Sequence, residues 1–424
     1  MRPKVTLVAV GADGATAVGA RIGAFARGLA RQGWDVTIID PLVPPAYLMD
    51  RLLTPIPTVL RSMLESAGIE GDIRPATGWR ACPALRDVAT GMTVVSVPPF
   101  ALLAATTVAL HPRVPLVVDY RDPWSARHEP PLLAQATRAI ERRALRRAAA
   151  VTYAGGPALG DLLAQRLRLP PHRVISVPNG FDPADIEGLH AVPVRAERKG
   201  QPLDLVMNGY WYGRNGPGIL LDALKQVGPA VAELTIIGGA SRPIAAQLQR
   251  TTGRLLAAHS TGSRRELYER LQEADAAIVT MDPASAVESR IPTKVYDYLA
   301  TGVPVIAICP PGAALLQIPE AQRFHHVHHR DIDGLATLLR NTMQDRTALR
   351  PGRLGAGPTR EHGVRTLHIL LHRLVQQHNE SVGLVGRGVA QAAHQASRAA
   401  PRFRSPSGTG CGQVNGTSST GQAP

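Results

Sequence analysis

Residues 288–308, ESRIPTKVYDYLATGVPVIAI, decide the fold. They read as a loop, then a helix opened by Pro292, with Gly302 at its stop and Pro304 leading into the apolar strand Val305 to Ile308. Glu288, Lys294 and Asp297 gather around that helix N-terminus. Unpaired backbone N–H groups and the positive end of the helix dipole suit a phosphate there. One turn further in, the Asp297 carboxylate is placed to accept hydrogen bonds from vicinal hydroxyls such as those of a ribose. The stretch therefore reads as half of a nucleotide-sugar site.

Upstream, the same alternation repeats. A strand Leu203 to Asn208 is followed by the loop GYWYGRNGPG, a helix Ile219 to Val227, a strand Leu234 to Ile237, then Gly238 and Gly239. A helix Arg264 to Glu273 and a strand Ala276 to Thr280 lead into the opening stretch. Arg214 lies in a glycine-rich loop before a helix, where its charge can reach a diphosphate. Asn215, Thr293 and Gly239 join it as donor-side candidates.

The first half begins in kind. Lys4 to Val10 is a short buried strand, Gly11 to Gly19 a glycine-rich turn, Ala20 to Gln32 a helix stopped by Gly33, and Asp35 to Ile39 a second strand. This β-loop-α-β unit opens a parallel sheet. Gly11, Gly14, Gly19 and Gly23 do not form GxGxxG, so a nicotinamide site is not indicated, although Asp40 sits where a ribose-binding acid would. The loop still lets a substrate approach the backbone, with Gly11 and Gly14 on the acceptor side.

Residues 41–90 are rich in Pro and Gly and read as variable loops with an amphipathic piece near Thr58 to Ala67. Strands Thr93 to Val97 and Val114 to Val118 flank a helix near Ala101 to Leu110. The second strand runs into DYRDPWSARHEPP, so Asp119, Arg121, Asp122, Trp124 and His128 crowd its carboxyl end, where open parallel sheets bind ligands. A packing account also stands: Arg121 and Asp122 pair, and Asp122 before Pro123 starts a turn. Further strands at Ala150 to Tyr153 and Val174 to Val177 bracket a helix Ala158 to Leu167, and the half closes on PNGFD, residues 178–182.

Composition narrows the class. A chain of 424 residues with 44% hydrophobic content holds two domains with full cores. Cys82, Cys309 and Cys411 show no CxxC spacing, so neither a zinc site nor a disulfide framework is indicated, and a reducing compartment is the simpler reading. The net charge of +14 favours polyanions in general. Part of it lies in RAIERRALRRAAA, residues 138–150, where Arg138, Arg142, Arg143, Arg146 and Arg147 sit at helical spacings. That is either a solvated face or a surface that meets anionic membrane. No nucleic-acid-binding motif or aromatic platform accompanies the charge, so no specific nucleic acid is expected.

No run reaches the roughly 18 apolar residues of a membrane helix. The N-terminal apolar run, Val5 to Val10, gives way at once to GADG, which suits a strand and turn rather than a secretory signal. Cytoplasmic residence is expected, with membrane contact at most peripheral, at the inner face. HHVHH, residues 325–329, splits its histidines between the two faces of a strand, which disfavours a compact metal site.

Two similar α/β halves, PNGFD near their join and PTKVYDYLATGVPVIA late in the second resemble the retaining glycosyltransferases of family 4, with the GT-B fold. YRDPW and GYWYGRN are similar to further members of the same motif set. The resemblance implies two Rossmann-like parallel-sheet domains facing a central cleft, and transfer of a sugar, hexosyl in type, from a nucleotide-diphosphate-sugar with retention. It implies no cofactor and no metal. Asp297 is then the candidate ribose ligand, Arg214 and Lys294 candidates for the diphosphate, and Glu288 for the donor sugar. Asp119, Arg121 and Asp122 would border the acceptor and the reacting centre. Glu288 and Asp297 lie nine apart, where the wider family has two glutamates eight apart.

The implied organisation is an acceptor-side domain 1–185, a linker 186–202, a donor domain 203–358, a C-terminal helix 359–380 packing back across the domains, and a disordered tail 381–424. The acceptor stays open among glycans, lipid-linked glycans and small natural products. A nucleotide-sugar epimerase or hydrolase of the same fold is the alternative, with the Asp119 to Asp122 group supplying acid and base.

Overall fold

The computed structural model describes residues 2–9, 17–39, 41–42, 76–77, 91–97, 114–121, 141–142, 145–193, 198–209, 218–238, 263–281 and 289–399. In the first half these give β1 (Lys4–Val8), α1 (Ala17–Arg31), β2 (Asp35–Ile39), β3 (Pro41–Leu42), β4 (Ala76–Thr77) and β5 (Met92–Val97). β6 (Leu116–Tyr120), β7 (Ala148–Tyr153), α2 (Pro157–Leu167) and β8 (Val174–Ser176) follow. β3 and β4 pair only with each other. The rest form a parallel six-stranded sheet in the order β2-β1-β5-β6-β7-β8. Every residue of β6 is buried, as expected of strands covered on both faces.

The second half contributes β9 (Leu203–Asn208), α3 (Gly218–Val227), β10 (Ala232–Ile237), α4 (Arg264–Glu273) and β11 (Ala276–Thr280). Then come α5 (Lys294–Thr301), β12 (Val305–Cys309), β13 (His325–His328) and α6 (Ile332–Gln344). Its parallel sheet runs β10-β9-β11-β12-β13. Both sheets thus reverse strand order, between β1 and β5 and between β9 and β11. In doubly wound folds ligands bind beyond the strand carboxyl ends at such reversals.

α7 spans Arg360–Ala399. Its Val364, Leu367, Leu370 and Leu371 recur at helical spacing and bury in the first half's core with Leu7, Ile22, Phe25 and Leu29. A Cβ on Gly28 of α1 would collide with Val364, so glycine sets how closely these helices approach. Residues 381–399, expected to be disordered, are helical instead. They lack proline, and polar or small composition does not forbid a helix; Pro401 follows two residues after its end. Residues Met1–Val375 form one compact unit and Gln376–Pro424 another.

Contacts inside the larger unit join its halves, two of them through the backbone at Phe181 and Gly156. Phe181 is buried in the second half's core, and Arg360 N donates to Phe181 O at 2.8 Å as the chain returns toward the first half. Gly156 N donates to Ser289 O at 3.1 Å, and a Cβ on Gly155 would strike the same carbonyl oxygen.

Candidate functional site

The site is best built from the reversal between β9 and β11. These strands pair only at Leu205 with Ala276 and Val206 with Ala277, then part. Tyr298 of α5 fills the gap: its hydroxyl accepts from Asn208 N and donates to Ile278 O, both at 3.0 Å. A buried phenol thereby stands in for the next rung of the ladder. Burial pushes the Tyr298 hydroxyl well above its ordinary pKa, against the Asn208 hydrogen bond and with help from Asp297, so it keeps the proton it donates.

Asp297, one residue earlier, is only 5% exposed. Its Oδ1 accepts from Arg264 Nη1 at 2.6 Å and Tyr268 OH at 3.1 Å, and its Oδ2 from Asn208 Nδ2 at 2.8 Å. Burial pushes its carboxyl up from the ordinary value, against the charge of Arg264, and Asp297 in turn helps hold Arg264 charged. A carboxylate has about four lone-pair sites. With three donors already in place, it has room for one ribose hydroxyl, and a grip on two requires a partner to leave.

Lys294 opens α5 half-buried. Its ammonium lies beside Gly209, just past the end of β9, and Gly209 N donates to Ile237 O at 2.7 Å. Gly209 (φ 95°) and Gly238 (φ 109°) both adopt left-handed backbone, and a Cβ on Gly238 would press on the Gly209 backbone. The carboxyl ends of β9 and β10 are thus stripped of side chains next to a cation, which leaves room for an anion to approach Lys294. Burial pushes the Lys294 pKa down to about 8, opposed by Asp297.

The helix end itself differs from expectation. α5 begins at Lys294 rather than at Pro292, because Val295 N bonds Pro292 O and Tyr296 N bonds Thr293 O in a tight first turn. Thr293 caps nothing with its side chain. Two amides expected to be free are therefore satisfied, and attraction for an anion rests mainly on the Lys294 charge.

In the first half Asp119 is wholly buried. It accepts from Arg21 Nε at 3.0 Å, Arg21 Nη2 at 2.7 Å, Thr152 Oγ1 at 2.7 Å and Ser96 Oγ at 3.4 Å. Burial alone would raise its pKa, but the charge and hydrogen bonds of Arg21, with Thr152 and Arg121, bring it below the ordinary value. Asp119, expected to border the acceptor and the reacting centre, is enclosed by these partners. Arg21 also donates to Val177 O, Pro178 O and Asn179 Oδ1, so the pair pins the PNG turn. Arg121 follows β6 half-buried.

Glu288, Arg214, Asn215, Gly239, Gly11, Gly14, Asp122 and His128 lie outside the described residues. The structure adds Asn208, Arg264, Tyr268 and Arg21. Asn208 had a signal, a polar residue closing an apolar strand; Arg264 and Arg21 are 33 and 98 residues from their carboxylates, and no local pattern pairs them.

Among the described residues no three His, Cys, Asp or Glu side chains could hold a metal. β13 is the sheet edge, and the His326 Nε2 atom lies 2.9 Å from Cys309 O. Of the basic stretch, Arg142 and Arg146 are exposed, while Glu141 is buried and accepts from Tyr120 OH at 2.5 Å; Arg138 and Arg143 lie outside the described residues. No described helix is long and apolar enough to cross a membrane.

Two doubly wound parallel sheets in one chain define the GT-B class. Residues 18–185 match the family described as Glycosyltransferase Family 4, and residues 203–345 match Glycosyl transferases group 1. Spanning both halves, these matches show that the chain belongs to the family 4, group 1 glycosyltransferases.

Solved structures share the fold. HepE of Anabaena, in complex with UDP, is 15% identical with a TM-score of 0.56, over 90% of this chain and 99% of that one. A sucrose-phosphate synthase of Thermosynechococcus elongatus is 16% identical with a TM-score of 0.54, over 92% and 100%. A putative UDP-N-acetylglucosamine 2-epimerase of Listeria monocytogenes is 13% identical with a TM-score of 0.53, over 88% and 97%. No curated protein matches the chain in sequence.

Proposed function

We propose that the chain moves a sugar from a nucleotide-diphosphate-sugar to an acceptor with retention of anomeric configuration and without a metal. The observation that carries this is the Lys294 ammonium beside Gly209, on which Gly238 packs, at the strand reversal, with Asp297 held one turn along. The departing nucleoside diphosphate gathers negative charge, and Lys294 with Arg214 stabilises it. The leaving phosphate takes the acceptor's proton on the same face, so no protein nucleophile is needed. Asp297 accepts one ribose hydroxyl while orienting Asn208 and Arg264. Glu288 faces the donor sugar, on a segment whose neighbour Ser289 is tied to Gly156 across the halves. Glycans, lipid-linked glycans and small natural products are the acceptor classes to test, and lipid-linked ones would bring the protein to the membrane.

UDP is the first ligand to try, since the HepE structures were solved with UDP and with UDP and glucose. A donor at 100 times its dissociation constant adds about 2.7 kcal/mol of stability. A panel of nucleotide sugars is therefore read by thermal shift, and Asp297→Ala is expected to abolish the shift of the true donor. Turnover of that donor without any acceptor would instead support an epimerase or hydrolase.

A further inference from the structure

At the end of α5 away from Lys294, a cavity of about 200 Å³ opens against Tyr298, Leu299, Val303, Val305 and Phe324. Its mouth carries Arg323, Arg350 and Arg353, with Glu320 as its one carboxylate. It continues into a more polar hollow of about 520 Å³ that shares Arg323, Phe324 and Arg350 and adds His325. The three arginines are exposed. Among the described residues none of them forms an ion pair; Arg323 Nη1 donates only to Pro351 O at 3.3 Å. Guanidinium groups without acidic partners attract anions.

Apolar walls and a cationic mouth select for both parts of a ligand. An apolar cavity of roughly 150 Å³ holds benzene, so this one admits a ring or a compact branched chain. The chain's own residues 400–424 do not suit it, since they bring arginines and no acid to an arginine mouth.

We propose that this groove binds a small anion carrying an aromatic group, an aryl phosphate or aryl carboxylate, with its ring against Leu299, Val303 and Phe324 and its anion on Arg350 and Arg353. The site is distinct from the anion site at Lys294, because it is lined from Tyr298 onward, about one helical turn or roughly 6 Å along α5, and neither Lys294 nor Gly209 lines it. Both sites can then be filled together.

The test is calorimetric titration of the full chain with phenyl phosphate, inorganic phosphate and benzyl alcohol, on wild type and on Lys294→Met. Phenyl phosphate is expected to bind at least about tenfold more tightly than either part alone, since it combines charge-assisted hydrogen bonds with ring burial. Lys294→Met should keep that binding, and Arg350→Glu with Arg353→Glu, both at exposed positions, should remove it. Equal affinity for phenyl phosphate and phosphate would overturn the proposal by showing surface charge alone. Loss of binding in Lys294→Met would overturn it by placing the ligand in the anion site at Lys294, and that outcome leaves the glycosyltransferase reading intact.

Discussion

Replacing Lys294 by Met should weaken nucleotide binding and stabilise the fold at neutral pH. Burial lowers the Lys294 pKa from the ordinary 10.5 to about 8. That drop corresponds to about 3 kcal/mol spent keeping the ammonium charged in the folded chain, as an upper figure for a half-buried group. The sign follows from proton linkage. Below pH 8 Lys294 is charged in both states and the folded chain bears the full cost. As pH rises from 8 toward 10.5 the folded chain releases the proton first, and the cost fades. Methionine removes the charge at every pH, and its packing contribution does not titrate. Urea denaturation of both proteins from pH 7 to pH 10 should show the stability gap in favour of Lys294→Met narrowing with pH. Nucleotide affinity at pH 7 should fall about 10- to 100-fold, the loss of one charge-assisted hydrogen bond. A gap that is flat with pH, or unchanged affinity for UDP, would refute the placement of Lys294 as a desolvated cation in an anion site.

Two further substitutions test the scaffold. Tyr298→Phe leaves Asn208 N and Ile278 O without the hydroxyl between them, and should cost about 2 kcal/mol in urea denaturation while lowering nucleotide affinity. Arg21→Met strands Asp119 in the core and should cost about 3–5 kcal/mol at neutral pH. Since Arg21 holds the Asp119 pKa below the ordinary 3.8, that stabilisation is present above 3.8 and lost as pH falls through the folded value. The deficit should therefore shrink in acid.

Apolar runs made the strands legible. Leu203–Asn208 and Ala276–Thr280 stand where the sequence pattern puts them, since strands covered on both faces need mostly apolar residues, and only Ala276–Thr280 is buried throughout. Several other element ends moved by one to three residues, because hydrogen bonding rather than hydropathy fixes them, the tight turn that shifts the start of α5 being one case, while α7 runs on to Ala399, past its expected end at 380. The clustered polar residues after β6 looked like a site for a sound reason, yet Asp119 belongs to an ion pair whose other member is 98 residues away. Periodicity reports one face of one element at a time, and such a pairing exists only once α1 packs on the sheet. α7 is the converse case: the sequence supplied its apolar stripe, and only packing shows that the stripe covers the first half's core.

The charge balance around Asp297 adds a step that single residues do not give. Arg264 and Arg360 both lie 3.9 Å from Asp185, and Arg264 also pairs with Asp297. Asp182 also acts on Asp185, so with Lys294 three cations face three carboxylates, and Arg360 has its pKa lowered by burial and then by Arg264. Burial makes Lys294 and Arg360 costly to keep charged, and an anion arriving beside them would offset part of that cost. Arg360 is also the first residue of α7, whose next turns bury Val364 and Leu367 in the opposite half. One helix thus links the charge around Asp297 and Asp185 to the packing of the first half's core. An anion bound among these cations would act on the residue where that helix begins.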